Sequence, residues 1–280
     1  MIRFVIPAYN ERENIPNLLA DLGPVARDLG ARIIFVDDGS TDGTAEAIEE
    51  HGRGLPLAIV RHPGNRGLGE AINSGLRAAL GESQDDDAIV TLEADNTSDL
   101  TDLPRMLENF RAGDDVVLAS VYAPGGRILG VAPWRLAASK SVSNVFRYVG
   151  GLKEIHTLSS LYRIYRAGTL RRAAETYGYL LVREPGFAAN VELLLKLYNA
   201  GAKVSEVPTV NDWSRRLGAS KMNLAPTVLA YGRLMAAHLV GRIQPPAMSP
   251  LGTERPAAGA AVQGGEQNGT VTPLRAVNGG

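Results

Sequence analysis

The sequence predicts an α/β fold: a mostly parallel sheet with helices on both faces. Three observations carry this. Short apolar runs of strand length alternate with stretches of helical periodicity through the first 120 residues. Each strand is followed by a helix before the next strand begins, which is the pattern of βαβ units. Three of the strand ends carry acidic residues, and right-handed crossovers place all strand ends along one edge.

The elements follow in order. Phe4-Val5-Ile6 is the first strand, broken by Pro7 and Asn10. Glu11 to Leu29 is expected to be an amphipathic helix, with Ile15, Leu18, Leu19 and Leu22 on one face. Arg32 to Val36 is the second strand. Asp37-Asp38-Gly39-Ser40-Thr41-Asp42-Gly43-Thr44 and a helix through Glu50 come next. Leu57 to Val60 and Gly67 to Leu80 form the third strand and helix. Ala88-Ile89-Val90-Thr91-Leu92 is the fourth strand and ends in Glu93-Ala94-Asp95. Leu100 to Phe110 is a helix and Val116 to Ser120 a fifth strand.

Glu93 and Asp95 are two apart, so at a strand end they share a face, an arrangement suited to a divalent cation carrying a phosphorylated ligand. Tyr9-Asn10-Glu11 and Asp37-Asp38 end neighbouring strands and reach the same rim. Capping of the following helix needs one of Asp37, Ser40 and Asp42, not three acidic strand ends. Gly67-Leu68-Gly69 lacks the third glycine and the ribose acid of a dinucleotide fingerprint, and no Gly-Lys-Ser/Thr of a P-loop occurs. A receiver-type domain would end near residue 120 and leave the second half without a role.

Composition narrows the class. The 280 residues include 29 Lys plus Arg and 30 Asp plus Glu, a net charge of -1 that favours no nucleic-acid partner. Without cysteine there are no disulfides, zinc–thiolate sites or thiol catalysis. His51, His62, His156 and His238 lack ligand spacing and read as packing or surface residues. No signal peptide or spanning segment is expected, so the compartment predicted is the cytoplasm.

Pro7-Ala8-Tyr9-Asn10-Glu11, Val36 to Thr44, Asn65-Arg66-Gly67-Leu68-Gly69 and Glu93-Ala94-Asp95 together resemble the nucleotide-binding half of family-2 glycosyltransferases with the GT-A fold. That resemblance implies an αβα sandwich, a nucleoside diphosphate sugar donor, and Mg²⁺ or Mn²⁺. It places Pro7, Tyr9, Glu11, Val36, Asp38 and Ala94 in the base and ribose pocket, and Asp95, helped by Glu93, on the metal. Gly125-Gly126, Trp134-Arg135, Ser160-Leu161-Tyr162-Arg163 and Arg215 to Lys221 resemble the acceptor half of dolichol- or polyprenyl-phosphate mannose (or glucose) synthases. The implied donor is GDP-mannose, with a UDP-sugar as the other choice, and the implied acceptor a polyprenyl phosphate. Arg215 and Lys221 carry the best-matched acceptor motif, with Arg216 read as a neighbour. The chain departs from the pattern at Glu93, at Thr157-Leu158-Ser159, and at Val121 and Ala188, where basic residues are expected.

A phosphate acceptor needs cations, and Arg127, Arg135, Arg163, Arg215, Arg216 and Lys221 supply them. A hydroxyl acceptor would need a base, for which Glu184 and Glu192 are the candidates. A third reading is an inactive nucleotide-binding relative. Residues 1–240 are expected to form one domain, divided into a nucleotide-sugar half (1–121) and an acceptor half (122–240). Leu224 to Val240 is apolar enough either to pack on the sheet or to lie on a membrane. Residues 244–280 are expected to be disordered.

Overall fold

The computed structural model describes residues 1–218, 224–243 and 271–272. The strands are β1 (Ile2–Ala8), β2 (Arg32–Asp37), β3 (Leu57–Arg61), β4 (Ala88–Thr91), β5 (Val116–Ser120), β6 (Arg127–Leu129), β7 (Arg163–Arg166), β8 (Val204–Pro208), β9 (Val210–Asp212) and β10 (Val271–Thr272). The helices are α1 (Ile15–Asp28), α2 (Thr44–His51), α3 (Leu68–Gly81), α4 (Leu103–Arg111), α5 (Pro133–Tyr148), α6 (Ala167–Tyr177), α7 (Ala189–Asn199) and α8 (Leu224–Leu239).

One eight-stranded sheet runs β10-β3-β2-β1-β4-β7-β5-β8, and β6 pairs with β9 in a small second sheet. The pairs β1–β2, β2–β3, β1–β4 and β5–β8 are parallel. Strand alternation then sorts the core. Phe4, Ile6, Ile33 and Phe35 face α1, α2 and α4, whereas Val5 and Ile34 face α3 with the second-half helices. A one-residue slip of β1 would exchange these two sets between unlike partners, so the register is strongly specified.

Three differences from the sequence reading have local causes. Helix α1 starts at Ile15 rather than Glu11. Asn10 adopts φ 53°, and the next residues turn through the Asn14 N–H to Glu11 carbonyl bond (2.9 Å). Pro16 then occupies the first turn, where a missing N–H costs nothing. The helix expected from Leu100 opens as a 3₁₀ turn, Leu100–Asp102, capped by Asp99. The sequence reading has no strand at Arg163–Arg166, yet β7 inserts antiparallel between β4 and β5. Its charged ends conceal it, because Arg163 is fully buried (0% exposed) instead of facing water.

Helix α8 packs on the core along one side and leaves apolar residues exposed on the other. Ala230, Leu234 and Met235 join the core, while Val228 and Leu229 are exposed. The tail from Gln244 lies outside the described residues except for β10, which pairs antiparallel with β3.

Candidate active site

The chain runs outward in opposite directions from β1, to β2 on one side and β4 on the other, so a crevice opens between the loops after β1 and β4. Three strand-end loops meet there and are stitched by side chains. The Asn10 N–H donates to Ser40 Oγ (2.9 Å), the Thr41 N–H to Asn10 Oδ1 (2.9 Å) and the Glu11 N–H to Thr44 Oγ1 (2.8 Å). Asp37 Oδ1 accepts from the Ser40 N–H (3.0 Å), and Asp42 Oδ1 from the Thr44 N–H (3.0 Å). Of the three polar residues weighed as caps, Asp42 holds the start of α2.

Asp38 is buried at the centre of this rim. Its Oδ1 accepts from His62 Nδ1 (2.6 Å) and the Arg66 N–H (3.0 Å), and its Oδ2 from the Gly67 N–H (2.8 Å). Gly39 makes the approach of this loop possible. It has φ +72°, and a Cβ there would stand 2.3 Å from the Gly64 carbonyl carbon. Gly69 serves a different contact, since a Cβ would lie 2.0 Å from the Glu184 carbonyl oxygen. The Gly67-Leu68-Gly69 motif therefore makes room for the 184–185 backbone.

The two acids after β4 have separate tasks. Glu93 Oε1 accepts from the Leu161 N–H and Oε2 from Ser98 Oγ, both at 2.8 Å. Burial and the neighbouring Asp95 push its carboxyl above the usual range, opposed by these two bonds. Glu93 thus anchors the segment that leads into β7. Asp95 Oδ1 is held by the Thr97 hydroxyl (2.8 Å), while Oδ2 accepts from Arg216 Nη1 (3.0 Å). Arg216 Nη2 also lies 3.9 Å from Glu11 Oε1.

The two arginines take different partners. Arg215 pairs with Asp21 of α1 on the surface, and Arg216, read as a neighbour, bridges Asp95 and Glu11. Asn14 fixes this geometry. It accepts from the Leu217 N–H (2.8 Å) and donates to the Leu217 carbonyl (3.0 Å) and Glu11 Oε2 (2.7 Å). Lys221 lies outside the described residues, as do Ala219 and Ser220.

Other predicted pocket residues are placed as follows. Pro7 and Val36 face each other in register on β1 and β2. Val36 also lies under Gly75 of α3, so its side chain packs inward. Tyr9 is half-buried at the rim and Ala94 is buried between the two acids. Arg163 is spent in the core, donating to the carbonyls of Asn190 (2.7 Å) and Leu158 (2.5 Å). Arg127 and Arg135 are exposed. Glu192 accepts from the Arg183 N–H (2.7 Å), the Glu184 N–H (2.8 Å) and Lys196 Nζ (2.6 Å), which makes it structural. Glu184 faces Arg233 of α8 at 3.3 Å. Sequence reasoning also missed His62. The signal was its position directly after β3, three residues before Asn65-Arg66-Gly67.

Among the described residues, no group of three or more His, Cys, Asp or Glu could hold a metal ion. One carboxylate with substrate phosphates suffices for Mg²⁺-type chemistry, however, and Asp95 Oδ2 already faces a cation. The residues therefore fit a divalent ion held by Asp95, with Glu93 committed elsewhere.

Comparison with known proteins agrees with this architecture. The profile of "Glycosyl transferase family 2" matches residues 4–172. The chain is 32% identical over 222 residues to a polyprenol monophosphomannose synthase of Mycolicibacterium smegmatis, covering 78% of this chain and 80% of that one. It is 33% identical over 224 residues to an undecaprenyl-phosphate mannosyltransferase of Micrococcus luteus, covering 78% and 86% respectively. Among solved structures, glucosyl-3-phosphoglycerate synthase from Mycobacterium tuberculosis, in complex with Mn²⁺ and UDP-glucose, superposes with a TM-score of 0.60. That match covers 88% of this chain and 80% of that one; at 19% identity it shows the fold alone.

Proposed function

The chain belongs to glycosyl transferase family 2, a glycosyltransferase of the GT-A fold, and we propose that it transfers a hexose with inversion from a nucleoside diphosphate sugar to a polyprenyl phosphate. Mannose from GDP-mannose is the preferred reading, and a UDP-sugar the second. The observation that carries the acceptor class is the similarity, over 78% of the chain, to relatives named for mannose transfer to polyprenol or undecaprenyl phosphate.

The chemistry available supports it. A phosphate monoester has a second pKa of about 6 and is already largely ionised at neutral pH, so its oxygen can attack the anomeric carbon without a general base. The C1–oxygen bond to the diphosphate breaks as the new bond forms on the opposite face. Neither candidate base is free for a hydroxyl acceptor: Glu192 is consumed by three hydrogen bonds and Glu184 faces Arg233. Asp95 would hold Mg²⁺ or Mn²⁺, which when bound neutralises the diphosphate and stabilises it as a leaving group. Arg216 donates to the same carboxylate and would compete with the ion for it.

Residues 1–240 are taken as one domain, since β8 of the second half extends the sheet begun by β1. No helix among the described residues is long and apolar enough to cross a membrane. Peripheral contact on the cytoplasmic face suits α5 and α8, which touch through Phe146 and Tyr231 (ring centroids 6.5 Å apart). They expose Trp134, Val145, Tyr148, Val228 and Leu229 beside Arg135 and Arg233.

The test is transfer by purified protein with Mg²⁺ or Mn²⁺, a panel of nucleotide sugars and a short polyprenyl phosphate. Sugar in an acid-labile, organic-extractable lipid is the expected result. Donor hydrolysis without lipid product would favour a hydroxyl acceptor, and no metal-dependent turnover would favour an inactive relative.

A further inference from the structure

We propose that His62 is a positioning residue for nucleotide recognition, fixing the Asp38 carboxylate so that Oδ2 alone keeps an acceptor position for the nucleoside. This rests on the donor reading of the strand-end rim.

The His62 ring is held at both of its nitrogens. Arginine can only donate, so Arg77 Nη2, 3.1 Å from Ser74 Oγ, makes Ser74 an acceptor there. Ser74 Oγ also lies 2.9 Å from His62 Nε2, so the second ring nitrogen is held in place as well. An ionised carboxylate can only accept, so the 2.6 Å contact between His62 Nδ1 and Asp38 Oδ1 places a proton on Nδ1. A proton on Nδ1 links the chain Arg77, Ser74, His62, Asp38. The contact is buried, with side-chain exposures of 6% for His62 and 4% for Asp38. The His62 N–H holds the Asp37 carbonyl (2.9 Å), so ring and backbone are fixed together.

Asp38 has about four acceptor positions. His62 and the Arg66 N–H occupy Oδ1, and the Gly67 N–H occupies one position on Oδ2. What remains is one position, on one oxygen, in one orientation. It suits a single N–H or O–H of a base or ribose. Without the His62 proton, Oδ1 is an underpaired buried anion, and the carboxylate gains a reason to rotate.

His62→Leu removes the donated proton, and His62→Asn retains an N–H near the position of Nδ1. Binding of GDP and UDP with Mn²⁺ is measured by calorimetry, with donor KM and kcat from the transfer assay and Tm as the control for folding. His62→Leu is expected to raise Kd and donor KM about tenfold with little change in kcat, and His62→Asn to restore most of the affinity. Equal weakness of both variants, or a lowered Tm with unchanged affinity, overturns the proposal. If His62→Leu does not fold, Ser74→Ala is expected to raise donor KM at constant kcat, and no change there counts against the chain. Histidine ¹H–¹⁵N spectra of the wild-type protein give a second readout: a proton on Nε2 instead of Nδ1 overturns the assignment. If the wild-type protein binds neither nucleotide, the donor reading fails as well. If Asp38→Asn weakens binding and His62→Leu does not, only this proposal fails.

Discussion

On the donor side of the rim, carboxylates are tied by groups a few residues away or on the next strand-end loop. Asp37 takes the Ser40 amide, Asp42 the Thr44 amide, and Asp38 the Arg66 and Gly67 amides. On the other side the charged groups are arginines, and each has a partner remote in sequence: Asp21 for Arg215, Asp95 for Arg216 and Asn190 for Arg163. Short polar side chains close turns within their own loop, so their roles are set locally. Arginine has a long, forked reach, so adjacent arginines can serve different ends of the molecule. Arg215 and Arg216 do so.

Four changes would break or sharpen that contrast. Asp95→Ala, at the meeting of the two sides, is expected to lower turnover about 10²–10³-fold with the circular dichroism spectrum retained. An unchanged rate would remove Asp95 from the chemistry. Arg163→Met should act on stability instead. The Leu158 and Asn190 carbonyls lose a charged donor in the core, and urea unfolding should show a loss of about 3 kcal/mol.

Arg216→Ala is expected to tighten Mn²⁺ binding in the absence of nucleotide about three- to fivefold, because Oδ2 of Asp95 is released. Calorimetry would show it, and weaker binding would mean that Arg216 organises the site instead of competing for it. Arg215→Ala should do least, costing under about 0.5 kcal/mol and leaving Mn²⁺ affinity alone, since its pair with Asp21 is partly exposed. A large loss of transfer in Arg215→Ala at normal stability would return that residue to the acceptor site.

Acid titration offers a comparison away from the rim. At the start of β4, burial raises the Asp87 carboxyl, but bonds from the amino terminus, the Gln84 N–H and Arg3 outweigh that and hold it at about 2. A depressed folded value means stability that is complete above the ordinary 3.8 and lost as pH falls toward 2. Urea midpoints followed from pH 5 downward should drop in that window, and Asp87→Asn should flatten the drop.

The first half was legible because its signals are local. Periodicity in Phe4 to Ile6, Ile33 to Phe35 and Ile89 to Val90 decides which face each side chain takes, and the acids follow at the strand ends. Its errors were small: four residues of turn before Ile15, and a 3₁₀ opening to α4. Glu93 was read as sharing a face with Asp95 and helping to hold a metal, and nothing near it in the chain announces that the Leu161 amide will arrive. His62 looked ordinary for the same reason; Ser74 and Asp38 make it a link only once α3 lies on β2.

By itself, the sequence determined the α/β class, the order of the first five strands and the rim where Glu11, Asp38 and Asp95 gather, since period and strand-end position are properties of the local chain. Tertiary structure decided that β7 separates β4 from β5, that Arg163 is core, that Glu93 is an anchor, and that Arg216 and not Arg215 reaches Asp95. Those outcomes depend on which remote groups are left needing a donor or a charge once the sheet has closed, and that demand exists only in the folded chain.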